Sequence, residues 1–450
     1  MSRSPETLPP PPDGRPHVVV IGGGFAGLAA LERLRKERVA VTLIDRHAYH
    51  TFLPLLYQVA TATLNPGDVT WALRSVNGRR YGARFVLGDV AAMDHDARVV
   101  TLSDGRRVTY DYLIIGTGVA VNFFGVKGAA EHSFPLYTRH QALALRDELQ
   151  RRLELASRHR RREEIRVVVV GAGATGVETT GAMAEMRNQD LPVLFPELDP
   201  ARIHITLVER SPHVLAPFSE PSREYAAREL EDRGVDLRLD TSVKSVSADG
   251  VMLSSDGGPD EFLPAQIVVW ASGVTAPKDV GNWGLQQGKG GRIVVDDRLR
   301  AFGRSRVFAA GDIALIDDYP LPQQAQPAIQ TGRHAAQVIA DDLAGRPSEP
   351  FVYRDLGTLA TIGRRDAVAE TAILPRMSGL PAWIVWNVVH IRALLGGRNR
   401  LAAMVNLGSK YLFWPRDHNV IVGDPDMGEN AHEESPSLAR SPVGRSGRRT

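Results

Sequence analysis

Short apolar runs that stop at glycine alternate along this chain with longer stretches of mixed polarity. Val18–Ile21 and Val41–Ile44 are such runs, and Ala26–Val39 between them has the composition of a helix. Together they predict one strand–helix–strand unit. Val167–Val170 and the strand Ile203–Glu209 predict a second. Tyr112–Gly118 and Val307–Asp312 read as further buried strands that end on glycine or Gly-Asp. Arg139–Glu164 is highly charged, with Leu143, Leu145, Leu149, Leu153 and Leu155 spaced for an amphipathic helix joining two domains. Gly257–Pro259, Gly288–Gly291 and Pro320–Pro322 predict turns. The two units are a duplication at domain scale, and the fold class is α/β with two Rossmann-like domains.

Composition narrows the chemistry. A length of 450 residues suggests about three domains at roughly 150 residues each. The net charge of +2, from 54 basic and 52 acidic residues, marks neither a nucleic-acid binder nor an enzyme for acidic substrates. There is no cysteine, which removes disulfides, thiolate metal sites and thiol nucleophiles. Electrons handled here cannot pass to a protein disulfide. Residues 1–16 carry a proline run and no apolar core of a signal peptide, so they are expected to be a disordered extension. Residues 424–450, rich in Ser, Pro, Gly and Arg, are expected to be a disordered tail.

The candidate chemistry lies in two glycine fingerprints. Gly22, Gly23, Gly24, Phe25, Ala26 and Gly27 follow the first strand; Gly171, Ala172, Gly173, Ala174, Thr175 and Gly176 follow Val167–Val170. Each puts backbone N–H groups and a helix N-terminus where a pyrophosphate can sit. Asp45 closes the first unit near the ~20-residue spacing expected of a carboxylate that accepts from ribose hydroxyls. Glu209 lies well beyond that spacing, and the inserted segment 188–202 explains the offset. A carboxylate at Glu209 would repel a 2′-phosphate and favour NADH over NADPH, with the adjacent Arg210 acting the other way. Glu178 follows Gly176 by two residues, on the first turn of its helix and toward the pyridine end of a bound dinucleotide.

The order of these pieces resembles the two-dinucleotide-binding flavoproteins, in which an NAD domain is inserted into an FAD domain. The pieces are an FAD fingerprint, a later NAD fingerprint, Ile115–Gly118, and Ala310-Gly311-Asp312. Within that group, Ala325–Gln330 is similar to the AQxAxQ motif of type II NADH:quinone oxidoreductases. Phe52–Thr61, Asn122–Gly125 with Phe134–Leu136, and Arg398–Leu401 extend the likeness over roughly residues 17 to 420. The resemblance implies one tightly bound, non-covalent FAD, contacted by Arg46, Val90, Thr117, Gly118, Gly311, Asp312, Ala325 and Gln326 besides the first fingerprint and Asp45. It implies NADH as co-substrate, with Ser272 and Gly273 added to the second fingerprint and Glu209. A membrane quinone, menaquinone or ubiquinone, would meet Gln326 and Gln330, two uncharged amides four apart on a helix face. Glu178, Gln326 and Gln330 are the residues expected to act in turnover, without proton pumping. Implied domains are 17–150 and 279–345 for FAD, 151–278 for NADH, and 346–423 for a C-terminal membrane-anchoring domain.

No apolar stretch reaches the roughly 20 residues that a spanning helix needs. Trp383, Trp386, Val389 and Ile391 are expected to form one apolar face, and Leu401, Met404, Val405, Leu412, Phe413 and Trp414 another. Arg392, Arg398, Arg400, Lys410 and Arg416 lie between them, a pattern for helices in the headgroup plane of an anionic lipid surface. A soluble dimer interface is the competing reading. With the resemblance, the expectation is a peripheral, monotopic protein on the cytoplasmic face, a homodimer with no nucleic-acid partner. No metal site is expected, and His390 is expected at a surface or interface. Two other readings stay open: an NAD(P)H reductase of a protein acceptor, and an NADH-sensing flavoprotein without turnover.

Overall fold

A computed structural model describes residues 6–9, 14–78, 80–158, 164–255, 258–316, 319 and 321–408. The 424–450 tail, the Lys410–Arg416 part of the proposed membrane region and most of the first sixteen residues lie outside these. Within the last group, Glu6–Pro9 are an exception to the expected disorder. The Arg107 N–H donates to the Glu6 carbonyl and the Leu8 N–H to the Arg107 carbonyl, while Leu8 packs on the core.

The apolar runs form the centres of two five-stranded sheets, both parallel throughout. In the first, His17–Ile21 lies between Ala40–Asp45 and Tyr112–Ile115, with Arg84–Leu87 and Val307–Ala309 at the edges. The order in which successive strands are added reverses between His17–Ile21 and Tyr112–Ile115, the chain building outward on one side of His17–Ile21 and then on the other. A crevice opens there, at the carboxyl ends of the strands. In the second sheet Ile165–Val170 lies between Ile203–Val208 and Ile267–Trp270. The two-residue strand Phe134–Pro135 pairs with Ile267–Trp270 at one edge, where proline's missing N–H is harmless. The second domain therefore starts before residue 151, the expected boundary. That boundary falls inside the helix Arg139–Arg158, which buries Leu145, Leu149 and Leu153 against this sheet. A short antiparallel ribbon, Ala120–Val121 with Val274–Thr275, links the two halves.

The C-terminal part is an antiparallel sheet, Gly357–Gly363, Asp366–Thr371 and Met377–Ser378, followed by the helices Gly379–Ala393 and Gly397–Gly408. It docks on the helix Ala174–Glu185 of the second unit. A Cβ at Gly181 would stand 2.1 Å from the Ile362 carbonyl oxygen, so a side chain there would hold the sheet away. This docking alters the expected apolar face. Trp386 is 1% exposed and belongs to the core, and Trp383 and Ile391 are partly buried against it. The residues left outside are Leu380, Ile384, Val388 and Val389, with Leu401, Met404 and Val405 on the next helix. No described helix is long and apolar enough to cross a membrane.

Candidate active site

At the first fingerprint the strand ends at Ile21 and the helix Phe25–Leu34 begins four residues later. A Cβ at Gly27 would lie 1.9 Å from the Gly22 carbonyl oxygen, so only glycine lets the helix close on the turn. Asp45 accepts hydrogen bonds from the Gly23 N–H at 2.6 Å and the His47 N–H at 2.7 Å. Burial pushes its carboxyl up, and those two bonds partly offset the shift. A long cleft runs around the turn, lined by Gly22–Ala26, Asp45, Arg46, Val90, Thr117, Gly118, Gly311 and Asp312. Arg46 reaches Asp89 at 3.1 Å. The Thr117 hydroxyl and His50 Nε2 in this cleft are buried without a protein partner. Such orphaned groups fit an extended polar ligand that completes their hydrogen bonds.

The second fingerprint repeats the first with the same offsets. A Cβ at Gly176 would lie 1.8 Å from the Gly171 carbonyl oxygen. Glu209 accepts from the Ala172 N–H at 2.7 Å and the Ser211 N–H at 2.8 Å. Each carboxylate thus bonds the residue after its fingerprint's first glycine and the residue two places beyond itself. Ser272 and Gly273, just past the strand Ile267–Trp270, flank this turn, and the Ser272 Cβ is 2.8 Å from where a Gly171 Cβ would stand.

The two cradles meet in a cavity of about 490 Å³. Phe25, His50, Tyr137 and Asp312 line both this cavity and the first cleft. Ala174, Thr175 and Glu178 enter from the second unit, Ala325 and Gln326 from the start of the helix Ala325–Leu343, and Val389 and His390 from the C-terminal helix. Glu178 is 8% exposed. Its Oε1 accepts from the Thr361 N–H at 3.3 Å and the Trp386 Nε1–H at 3.1 Å. Burial outweighs both bonds and pushes the carboxyl up to about 8, so it is protonated at neutral pH. Asp312 is pushed up to about 7, again by burial, with Arg292 acting against it.

His50 and His390 were not legible as site residues. His50 Nδ1 lies 2.9 Å from the Gly23 carbonyl and His390 Nδ1 2.7 Å from the Trp386 carbonyl. A carbonyl only accepts, so each Nδ1 carries the hydrogen and each Nε2 presents a lone pair. Burial holds both rings at about 4, and they are neutral. His390, expected at a surface or interface, is half-buried, stacks on Trp386 at 4.0 Å and faces the cavity. Gln330 does not line the cavity. Its amide donates to the Arg354 carbonyl at 2.9 Å and accepts from the Arg354 N–H at 3.0 Å, fastening the connector to the C-terminal sheet. Among the described residues no cluster of potential metal ligands occurs.

Two dinucleotide cradles that share one cavity define a pyridine-nucleotide oxidoreductase. In keeping with this, residues 16–332 match the pyridine nucleotide-disulphide oxidoreductase family, and residues 356–417 match the NDH2 C-terminal domain. A type II NADH:quinone oxidoreductase of Mycobacterium tuberculosis, NdhA, is 36% identical over 417 residues, 89% of this chain and 88% of the relative. A second from that organism, Ndh, is 31% identical over 96% of both chains. The chain belongs to the type II NADH:quinone oxidoreductases. NDH2 from Plasmodium falciparum, solved in complex with NADH, has the same fold, with a TM-score of 0.83 at 19% identity over 90% of this chain and all of that one. The sulfide:quinone oxidoreductase of Aquifex aeolicus shares the fold at a TM-score of 0.72, 20% identity, over 88% of this chain and 95% of that one.

Proposed function

We propose that this protein oxidises NADH and reduces a membrane quinone through one tightly held FAD, without moving protons across the membrane. The observation that carries the reading is the shared cavity, where Glu178 of the second unit, Asp312 of the first and the Gln326 amide face the same space. When bound, the flavin accepts a hydride and passes two electrons on. FAD rather than a mononucleotide is supported by a cleft that includes both the glycine turn and the Asp45 carboxylate.

The chain's own groups hold and orient. The two backbone N–H groups that fix Glu209 support it as the acceptor from the NADH ribose, and the position of Glu178 in the shared cavity supports it as the neighbour of the nicotinamide. Gln326 offers an amide donor to a quinone carbonyl in a cavity otherwise rich in aliphatic and aromatic side chains. Attachment to a lipid surface, at the cytoplasmic face, is supported by the exposed apolar side chains of Leu380, Ile384, Val388, Leu401, Met404 and Val405 and by the exposed Arg392 and Arg398 in the same stretch of chain. A homodimer is the proposed assembly, checked by light scattering in detergent.

The test is anaerobic. NADH should bleach the flavin and a water-soluble quinone should restore its colour. Bleaching that no quinone reverses removes the proposed acceptor; a response to NADPH but not NADH removes the role given to Glu209. Release of FMN on denaturation would overturn the FAD assignment.

A further inference from the structure

Glu178 is a wall between two chambers. One face borders the large cavity; the other borders a separate chamber of about 20 Å³, whose polar wall is Tyr57, Gln58, Thr63, Glu185 and Thr361 besides Glu178 itself and whose apolar wall includes Trp383 and Trp386. Gln58 is 2% exposed, and its Nε2 donates to the Tyr57 hydroxyl at 2.8 Å. Gln58 Oε1 is buried and has no protein partner. A chamber of this size with several polar groups on its wall accommodates one water molecule, which needs two to four polar neighbours. The chamber's other side is less enclosed, since Thr63, Ala182 and Gly363 are half-buried. Glu185 stands two helical turns after Glu178, on the same face of the helix, and its Oε2 accepts from the Arg364 N–H at 2.9 Å.

The reaction proposed above needs a proton route. NADH gives up a hydride, which is two electrons with one proton; forming a quinol from a quinone takes two electrons and two protons. One proton per turnover comes from solvent. We propose that this proton reaches the large cavity through the small chamber, passing from Glu185 to a water held by Gln58 and Thr63 and from that water to Glu178. This rests on the quinone-reductase reading. The hydrogen bonds at Glu178 suit the task. Both N–H donors go to Oε1, so the acid proton sits on Oε2, the oxygen that makes no bond to the protein among the described residues. When Glu178 gives that proton to the forming quinol, the chamber water replaces it, Glu185 resupplies the water, and a solvent proton entering by the less enclosed side returns Glu185 to its starting state. No net charge stays behind.

The experiment uses the full-length holoenzyme, with each half-reaction followed by stopped flow in H2O and in D2O. Glu185→Gln preserves size and hydrogen bonding but carries no exchangeable acid; Gln58→Leu removes the water's acceptor. In both variants flavin bleaching by NADH should stay within about twofold of the parent. Reoxidation by quinone should slow about tenfold, with a larger solvent isotope effect. A packing defect alone would not raise that isotope effect. If Gln58→Leu fails to retain flavin, Glu185→Gln decides. Reoxidation at the parental rate with an unchanged isotope effect overturns the relay. A parent enzyme that no quinone reoxidises overturns the underlying reading instead, and the relay with it.

Discussion

Two carboxylates, Asp45 and Glu209, make the same pair of backbone bonds although they follow their first glycines at quite different distances. What matters is the end of the second strand, so extra residues in the crossover do not disturb the site. The last glycines of the two fingerprints, Gly27 and Gly176, are equally matched, and their substitutions should separate the two nucleotides. Gly27→Ala drives a methyl into the Gly22 carbonyl, so the purified protein should lose its visible flavin absorbance. Gly176→Ala does the same at Gly171, so flavin should remain while KM for NADH rises about tenfold or more, the effect of losing roughly 1.4 kcal/mol of binding. Glu178 supplies a stability test with a definite sign. The unfolded carboxyl ionises near 4.5 and the folded one near 8, so its contribution is whole below 4.5 and is lost as pH rises toward about 8. Glu178→Gln lacks this loss. Its Tm relative to the parent should climb between pH 5 and 8; a difference that does not vary with pH refutes the buried neutral acid.

The C-terminal helix Gly379–Ala393 has two faces, one buried and one exposed, that its composition does not separate. Trp386 donates to Glu178 and Ala382 is fully buried, while Leu380, Ile384 and Val388, spaced four apart, point outward. Deleting the chain from Leu380 would therefore open the core and strip a partner from Glu178. Loss of membrane binding in such a truncation would say nothing about lipid. A cleaner variant replaces Ile384, Val388 and Met404 with serine. Liposome flotation should then fail, while flavin content and NADH bleaching stay at the parental level. Flotation of the triple variant at parental strength would show that these side chains are not the attachment. At this scale the expectation that Trp383, Trp386, Val389 and Ile391 form one outward apolar face went astray for a physical reason. Trp, Val and Ile satisfy a buried helix–sheet contact and a lipid surface equally well, and only the docking of the C-terminal sheet on the helix Ala174–Glu185 tells the two faces apart.

At the scale of the whole molecule, two parallel sheets and a C-terminal cap bring widely separated segments to one cavity. Val18–Ile21, Val167–Val170 and the glycines after them were legible because a buried parallel strand needs a continuous apolar run and a tight strand-to-helix turn needs glycine. Those are local requirements, written in consecutive residues. The absence of cysteine likewise needs no fold to exclude a disulfide acceptor. The cavity is of another kind. Gln326 and Gln330 look equivalent by helical spacing, yet one faces the cavity and the other is held by Arg354. His50, Trp386 and His390 carry no local pattern, and their roles arise from contacts with Gly23, Glu178 and each other. By itself, then, the sequence determined the class of fold and the two nucleotide cradles, because backbone geometry within a few residues dictates both. Only the tertiary structure decided the protonation of Glu178, the partner of each glutamine and the face each C-terminal side chain presents. Burial and desolvation depend on what packs from a distance, and no window of neighbouring residues contains it.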